Sequence, residues 1–197
     1  KVKITGYPLR AMLKKWNRKN GRAHFKINAK EKVLLVFGGS KGARSINHAL
    51  MSILTRLVEE MHVIHITGTD NWDNVQTTLE SLKKWRSSRY HPYPFLHEKI
   101  GAAFAAADLT VCRAGASTIG ELPFFGLPAL MVPYPFAWKY QHQNAGYLCK
   151  NGGAEIIEDK DLQEDLFHKI MELIMDTKKI MGMKKKMRSL AVMDAER

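Results

Sequence analysis

Cysteine is nearly absent from this 197-residue sequence: Cys112 and Cys149 are its whole complement. Two thiols cannot build a disulfide scaffold, so the fold must rest on an apolar core. No apolar run reaches the ~18 residues that a membrane-spanning helix needs. The eight His and two Cys show no zinc-type spacing. The Gly-x4-Gly-Lys-[Ser/Thr] phosphate loop is absent, and so is the Gly-x-Gly-x-x-Gly dinucleotide fingerprint. Acids are scarce, with 19 Asp and Glu against 31 Lys and Arg, which leaves a net charge of +12. Against these absences stands an ordinary globular composition, 45% hydrophobic and 25% charged. It excludes wholesale disorder and a collagen-like fibre, and the length suits a domain with a real core.

The charge is unevenly placed. Residues 1–32 hold eleven Lys and Arg against Glu31 alone, so this leader carries +10 of the surplus. A second basic run, Lys178, Lys179, Lys184, Lys185, Lys186 and Arg188, lies near the other end. Basic tracts attract nucleic acid or anionic lipid, but solvated faces are commoner. Aromatic and basic residues are not interleaved as in an RNA-binding sheet, so no nucleic-acid partner is expected. The sequence starts at Lys1 and stops at Arg197 without evident start or stop signals, and residues 1–10 lack the apolar segment of a signal peptide. A fragment of a larger protein is therefore expected.

Strand and helix patterns alternate along the chain. Short apolar runs at 33–37, 63–66, 93–96, 109–112, 129–132 and 154–157 read as strands. Helical periodicity is expected over 43–60, 71–85, 97–107, 117–125, 140–151, 162–175 and 177–193. This βαβ order predicts an α/β fold, a doubly wound parallel sheet of Rossmann-like type. Residues 1–32 read as a basic linker and 33–197 as one folded domain. In such sheets ligands bind beyond the carboxyl ends of the strands, which directs attention to the loops that follow them.

Two of those loops join a strand to a helix through small residues. Gly38-Gly39-Ser40-Lys41-Gly42-Ala43-Arg44 offers close backbone approach and free N–H groups for an anion, although a bare tight turn explains the glycines equally well. Arg113-Ala114-Gly115-Ala116-Ser117-Thr118-Ile119-Gly120-Glu121 repeats the design. Glu121, one turn into its helix, could accept two hydrogen bonds from a ribose diol or simply favour the helix dipole. Beyond the Pro-flanked strand Gly126–Pro133, the segment 134–144 carries Lys139, Tyr140, Gln141, His142, Gln143 and Asn144. Amides suit sugar hydroxyls because they both donate and accept, though most such residues are only solvated.

Taken in order, these segments resemble the C-terminal, donor-binding domain of the MurG family of N-acetylglucosaminyltransferases. The resemblance rests on Gly6-Tyr-Pro-Leu-Arg10, Gly38–Arg44 followed by Asn47, Cys112–Thr118 with Glu121, Gly126-Leu-Pro-Ala129, and Gln141 with Asn144-Ala145. The glycine turn before Ala154–Ile157 and the Asp161-Leu162 helix start fit as well. The family has the GT-B architecture, two Rossmann-like domains facing a cleft, and makes lipid II in peptidoglycan synthesis. The resemblance implies a UDP-GlcNAc site with no cofactor and no metal, and inverting transfer to a lipid-linked muramyl acceptor. It implies that Arg10, Gly39 and Ser40 lie near the diphosphate and that Glu121 holds the ribose. The turn of Arg113, Gly115, Ala116, Ser117 and Thr118 would pack on sugar and phosphates. Gln141 and Asn144 would face the GlcNAc hydroxyls, and the backbone of Phe95 and Leu96 would read the uracil. The acceptor domain and catalytic base would belong to a missing N-terminal half, and the whole enzyme would sit on the inner, cytoplasmic face of the membrane.

Two departures accompany the resemblance. Lys139 and Tyr140 stand where the family places an acidic or amide-rich cluster, which leaves the sugar open. The acceptor half is absent, so the chain is expected to bind donor without turning over alone. Related donor halves, such as that of monogalactosyldiacylglycerol synthase, remain alternatives. So does a dinucleotide-binding oxidoreductase with Asp70 as its ribose acid, although that leaves 113–121 unexplained. A nucleic-acid or membrane-binding module would explain the charge but not the ordered loops. His62 and His65, three apart in or beside a strand, point to opposite faces and suit no shared metal. Cys112, Cys149 and the ten Met read as core packing.

Overall fold

The computed structural model describes residues 6–39, 42–72, 75, 77, 79 and 84–192. Six strands form one all-parallel sheet: β1 (Val33–Phe37), β2 (His62–Ile66), β3 (Tyr90–Tyr93), β4 (Leu109–Cys112), β5 (Ala129–Met131) and β6 (Ala154–Ile156). Their spatial order is β3-β2-β1-β4-β5-β6. Parallel neighbours need crossovers, and the helices between the strands supply them. The chain reverses direction between β3 and β4, so the loops after β1 and β4 part at the sheet's midline. A doubly wound sheet binds its ligand at that point.

Alternation along each strand feeds two cores. Leu34, Val36, Val63, Val111 and Leu130 meet α2 (Arg44–Glu60) and α7 (Leu162–Met175) on one face. Val33, Leu35, Ile64, Cys112 and Met131 face the other side. There they pack under α1 (Arg18–His24), α4 (Ile100–Ala106), α5 (Thr118–Phe125) and α6 (Trp138–Lys150). α3 (Lys84–Ser87) is a single turn, and α8 (Thr177–Ser189) touches both cores through Met183 and Met187. α2 shows why the amphipathic reading works: Ile46, Leu50, Ile53, Leu54 and Leu57 form one buried stripe at helical spacing.

Three expectations change. The third strand covers Tyr90–Tyr93 rather than 93–96, in register with Val63 through Ile66. Pro92 hides it in the sequence, but β3 lies at the sheet edge, where a residue without an N–H is tolerated. Secondly, the leader is no separate linker over its described part. Leu9, Leu13, Phe25 and Ile27 are buried in the second core, and α1 lies directly on α4, where a Cβ at Gly21 would sit 2.7 Å from the Ala102 carbonyl. Several of its cations are bound within the domain: Arg10 pairs with Glu121, and Arg18 and Arg22 with Asp108. Thirdly, the last helix stops at Ser189. Most of the helix expected over 71–85 lies outside the described residues.

Candidate functional site

Two adjoining cavities open at the carboxyl ends of the central strands. The first, about 400 Å³, is walled largely by Phe37, Ile66, Phe95, Leu96, Ile100 and Phe104. Arg10 and Glu121 are the charged pair on its lining. The second, about 1050 Å³, has more polar side chains on its lining and runs between the glycine loop before α2, the 113–118 turn, the 134–141 loop and the start of α7. Phe37, Gly39 and Ser117 line both, so the two are lobes of one cleft.

Glu121 lines the first lobe, beside Ser117. It is only 4% exposed, and its Oε1 accepts from Arg10 Nη2 at 2.8 Å. Burial pushes its carboxyl above the ordinary carboxylate range, while Arg10 and the Ser117 hydroxyl pull the other way. Its position follows from α5. The amides of Thr118, Ile119, Gly120 and Glu121 close the first turn onto Gly115, Ala116 and Ser117 carbonyls. The preceding amides, those of 115–117, take no part in that closure, and Gly115 and Ser117 line the second lobe at the start of the helix. Gly115 has open space where a Cβ would be, which keeps the turn accessible.

The glycine loop is set by a close approach. Gly42 has φ +79°, and a Cβ there would run into the Thr67 carbonyl. Asn47 Nδ2 donates to that same carbonyl at 2.8 Å, tying the start of α2 to the end of β2. Behind it, His65 bridges Asn47 Oδ1 (3.0 Å) and the Tyr90 hydroxyl (2.8 Å). Burial drives the His65 imidazole down to about 3, so it is neutral at ordinary pH. Gly39, at φ +99° with nothing near its missing Cβ, lies open to both lobes.

The structure sorts the residues picked from the sequence. Arg10, Gly39, Phe95, Leu96, Ser117 and Glu121 line the first lobe. Arg113, Gly115, Thr118 and Gln141 line the second. Ser40 lies outside the described residues. Arg10, expected beside a diphosphate, lines the first lobe and pairs with Glu121. Arg113 is largely consumed within the protein. Its Nη1 reaches the Val132 carbonyl (3.2 Å) and Asp159 (2.5 Å), and its Nη2 reaches Ser45 (2.7 Å). It clamps the floor of the second lobe. Gln141 and Asn144 each commit one amide end: Gln141 Oε1 accepts from Tyr134 N, and Asn144 Nδ2 donates to the Ala114 carbonyl. Asn144 thereby braces the 113–118 turn, and Ala116 rides on that turn. The Leu96 carbonyl is taken by Lys99 N at 2.6 Å.

Other lining residues escaped the sequence reading. Phe37 and Ile66 end their strands and could have been found by that position. Tyr7 and Asp159 carry no comparable signal. His97 is an outlier of a different kind: a non-glycine residue at φ +37° beside the first lobe, its ring 4.5 Å from that of Phe95. His62 and His65 do face apart, one to His91 and Glu31 and the other to Tyr90 and Asn47. Among the described residues no three His, Cys, Asp or Glu side chains converge as a metal-ligand set. Nor is any described helix long and apolar enough to cross a membrane.

Comparison with known proteins agrees with this fold. One relative is the UDP-N-acetylglucosamine--N-acetylmuramyl-(pentapeptide) pyrophosphoryl-undecaprenol N-acetylglucosamine transferase of Roseiflexus sp. It is 36% identical over 98% of this chain and 48% of its own length. The enzyme of the same name from Desulforudis audaxviator is 36% identical over 96% of this chain and 52% of its own. The chain thus spans about half the length of the curated relatives it matches. Among solved structures, MurG of Acinetobacter baumannii superposes with a TM-score of 0.72 at 26% identity, over 94% of this chain and 53% of that one. The α/β fold expected from the sequence, that of the C-terminal half of a GT-B glycosyltransferase, is therefore the observed one. The glycosyltransferase family 28 C-terminal domain matches residues 33–196, and the chain belongs to that family.

Proposed function

We propose that this chain is the donor-binding part of an N-acetylglucosaminyltransferase and that its cleft takes UDP-GlcNAc. The observation that carries the reading is the buried Glu121, paired with Arg10 on the wall of the first lobe and beside Ser117, which lines both lobes. Uracil fits between Phe95, Leu96 and Ile66, and the ribose diol donates to the Glu121 carboxylate. The diphosphate crosses the N-terminus of α5 and the glycine loop, where amide N–H groups offset its charge. The GlcNAc occupies the second lobe near Gln141 and Asn144.

The reaction we assign is a single displacement with inversion and without a metal. An acceptor hydroxyl oxygen forms a bond to the anomeric carbon as the bond from that carbon to the UDP oxygen breaks. UDP leaves with the electron pair, and the hydroxyl proton passes to a base outside this chain. The α5 amides act on the charge that grows on the leaving group. The relatives' name points to a lipid-linked muramyl acceptor, and we place its site in the half that this chain does not span. An acceptor of that kind puts the whole enzyme at the cytoplasmic face of the membrane. The oxidoreductase alternative accounts for the strand order but not for the family match.

Melting shifts with UDP, UDP-GlcNAc, UDP-galactose and NAD test the reading, because a ligand bound only by the native state raises stability. UDP and UDP-GlcNAc are expected to raise the melting temperature, with NAD silent. A shift with NAD and none with UDP overturns it. A larger shift with UDP-galactose than with UDP-GlcNAc moves the sugar assignment to the galactolipid type.

A further inference from the structure

The two basic tracts of the sequence meet at a place the nucleotide-sugar reading leaves unused. Asp108, just ahead of β4, is buried and accepts from Val33 N at 3.0 Å. Three cations converge on it: Arg18 at 2.8 Å, Arg22 at 2.8 Å and Lys184 at 3.0 Å. Burial alone would raise its carboxyl, but Lys184, Arg18 and Arg22 hold it below the ordinary value. Arg188, one turn beyond Lys184, covers Gly126 and makes no ion pair among the described residues. Three cations thus gather around one carboxylate, and Arg188 makes a fourth close by, on the same cavity lining as Arg18 and Lys184. The carboxyl ends of α4 and α5 also point here, each worth about half a negative charge. A surplus of about two positive charges is left after both are counted.

A cavity of about 250 Å³ opens beside this cluster. Arg18, Lys184 and Arg188 stand on its lining, with Trp16, Phe124 and Phe125 as aromatic walls. The Trp16 indole Nε1 is buried and has no acceptor among the described residues. An unmet buried donor next to surplus positive charge is costly, and an anion relieves both at once. The cavity lies at the amino ends of the strands, opposite the nucleotide cleft, and Phe104 alone lines both this cavity and the apolar lobe.

We propose that this cavity is a second anion site, one that binds the phosphate of a phosphate ester. Arg18, Lys184 and Arg188 supply charge-assisted hydrogen bonds, and the aromatic walls cover the adjoining carbon chain. Two sources share this chemistry, the headgroup of an anionic phospholipid and a soluble phosphate ester. Lys15, Lys19 and Lys185, on α1 and α8 or beside them, are exposed.

The test follows the Trp16 indole N–H resonance of the ¹⁵N-labelled chain, assigned with Trp16→Phe. One arm adds inorganic phosphate and then sn-glycerol 3-phosphate. The other measures sedimentation with vesicles of phosphatidylcholine alone or mixed with phosphatidylglycerol. A saturable Trp16 shift with glycerol phosphate is expected, weakened about tenfold or more in Arg188→Gln, which keeps the stem over Gly126. Sedimentation only with phosphatidylglycerol, lost in the same variant, assigns the headgroup; a shift without sedimentation assigns the soluble ester. An unmoved Trp16 resonance, or binding that a normally melting Arg188→Gln retains in full, overturns the proposal.

Discussion

Single residues in this protein are tuned by where the sheet buries them. Glu121 is a carboxylate raised by burial yet partnered by Arg10, so it stays poised rather than locked. If the ribose donates to its ionised form, binding must release any proton it holds. UDP affinity is then expected to fall as pH drops, and the fall begins above the ordinary value of 4.5 because the free carboxyl is raised. Below that point the loss approaches about tenfold per pH unit, readable by titration calorimetry from pH 7 downward. A pH-independent affinity would return Glu121 to the bland task of favouring the dipole of α5. His65 makes the opposite kind of statement, one of stability. Its folded value near 3 lies well below 6.5, so the unfolded chain binds the extra proton. Stability is therefore complete above about pH 6.5 and drains as pH falls toward 3. Between pH 6.5 and 5 the loss from His65 is on the order of 2 kcal/mol. Urea unfolding should show it, with a shallower pH slope in His65→Asn.

At the scale of elements, loops are held by contacts that cross long stretches of chain. Gly42→Ala meets both a left-handed φ and the Thr67 carbonyl. It should cost at least about 1–2 kcal/mol in urea unfolding and also weaken the UDP melting shift. Asp108→Ala strands three cations and the Val33 amide. A cost of about 3–5 kcal/mol is expected, far above that of an exposed acid such as Asp165. These two cases also show what the sequence could and could not reveal. β1 was legible to the residue because a buried parallel strand reads as an unbroken apolar run, and so was β4, where Thr110 alone interrupts the run. β3 was misplaced because His91 and Pro92 interrupt its run, and only pairing with β2 fixes its register. The 113–121 turn was legible from its small residues. The role of Arg113 was not, because its partners Ser45 and Asp159 lie 68 residues back and 46 ahead. Asp108 drew no notice, since its cations come from both ends of the chain.

The whole molecule is a single sheet with two differently charged ends. The net charge of +12 looked at first like a nucleic-acid or membrane signature. Folding shows that some of it is spent internally, on Glu121 at one end of the sheet and on Asp108 at the other. Glycosyl transfer is expected to need the half that its relatives carry in addition. The purified 197-residue chain should therefore bind donor yet show no transfer to a lipid-linked muramyl acceptor, checked by product chromatography. Nucleotide-sugar binding through Glu121 is the claim on which the rest stands. Titration calorimetry of UDP-GlcNAc into the wild-type chain and Glu121→Gln tests it most directly. One site per chain is expected, with affinity at least tenfold weaker in the variant, as the loss of charge-assisted hydrogen bonds requires. Equal affinities in the two proteins, or no binding to the wild type, would contradict the account.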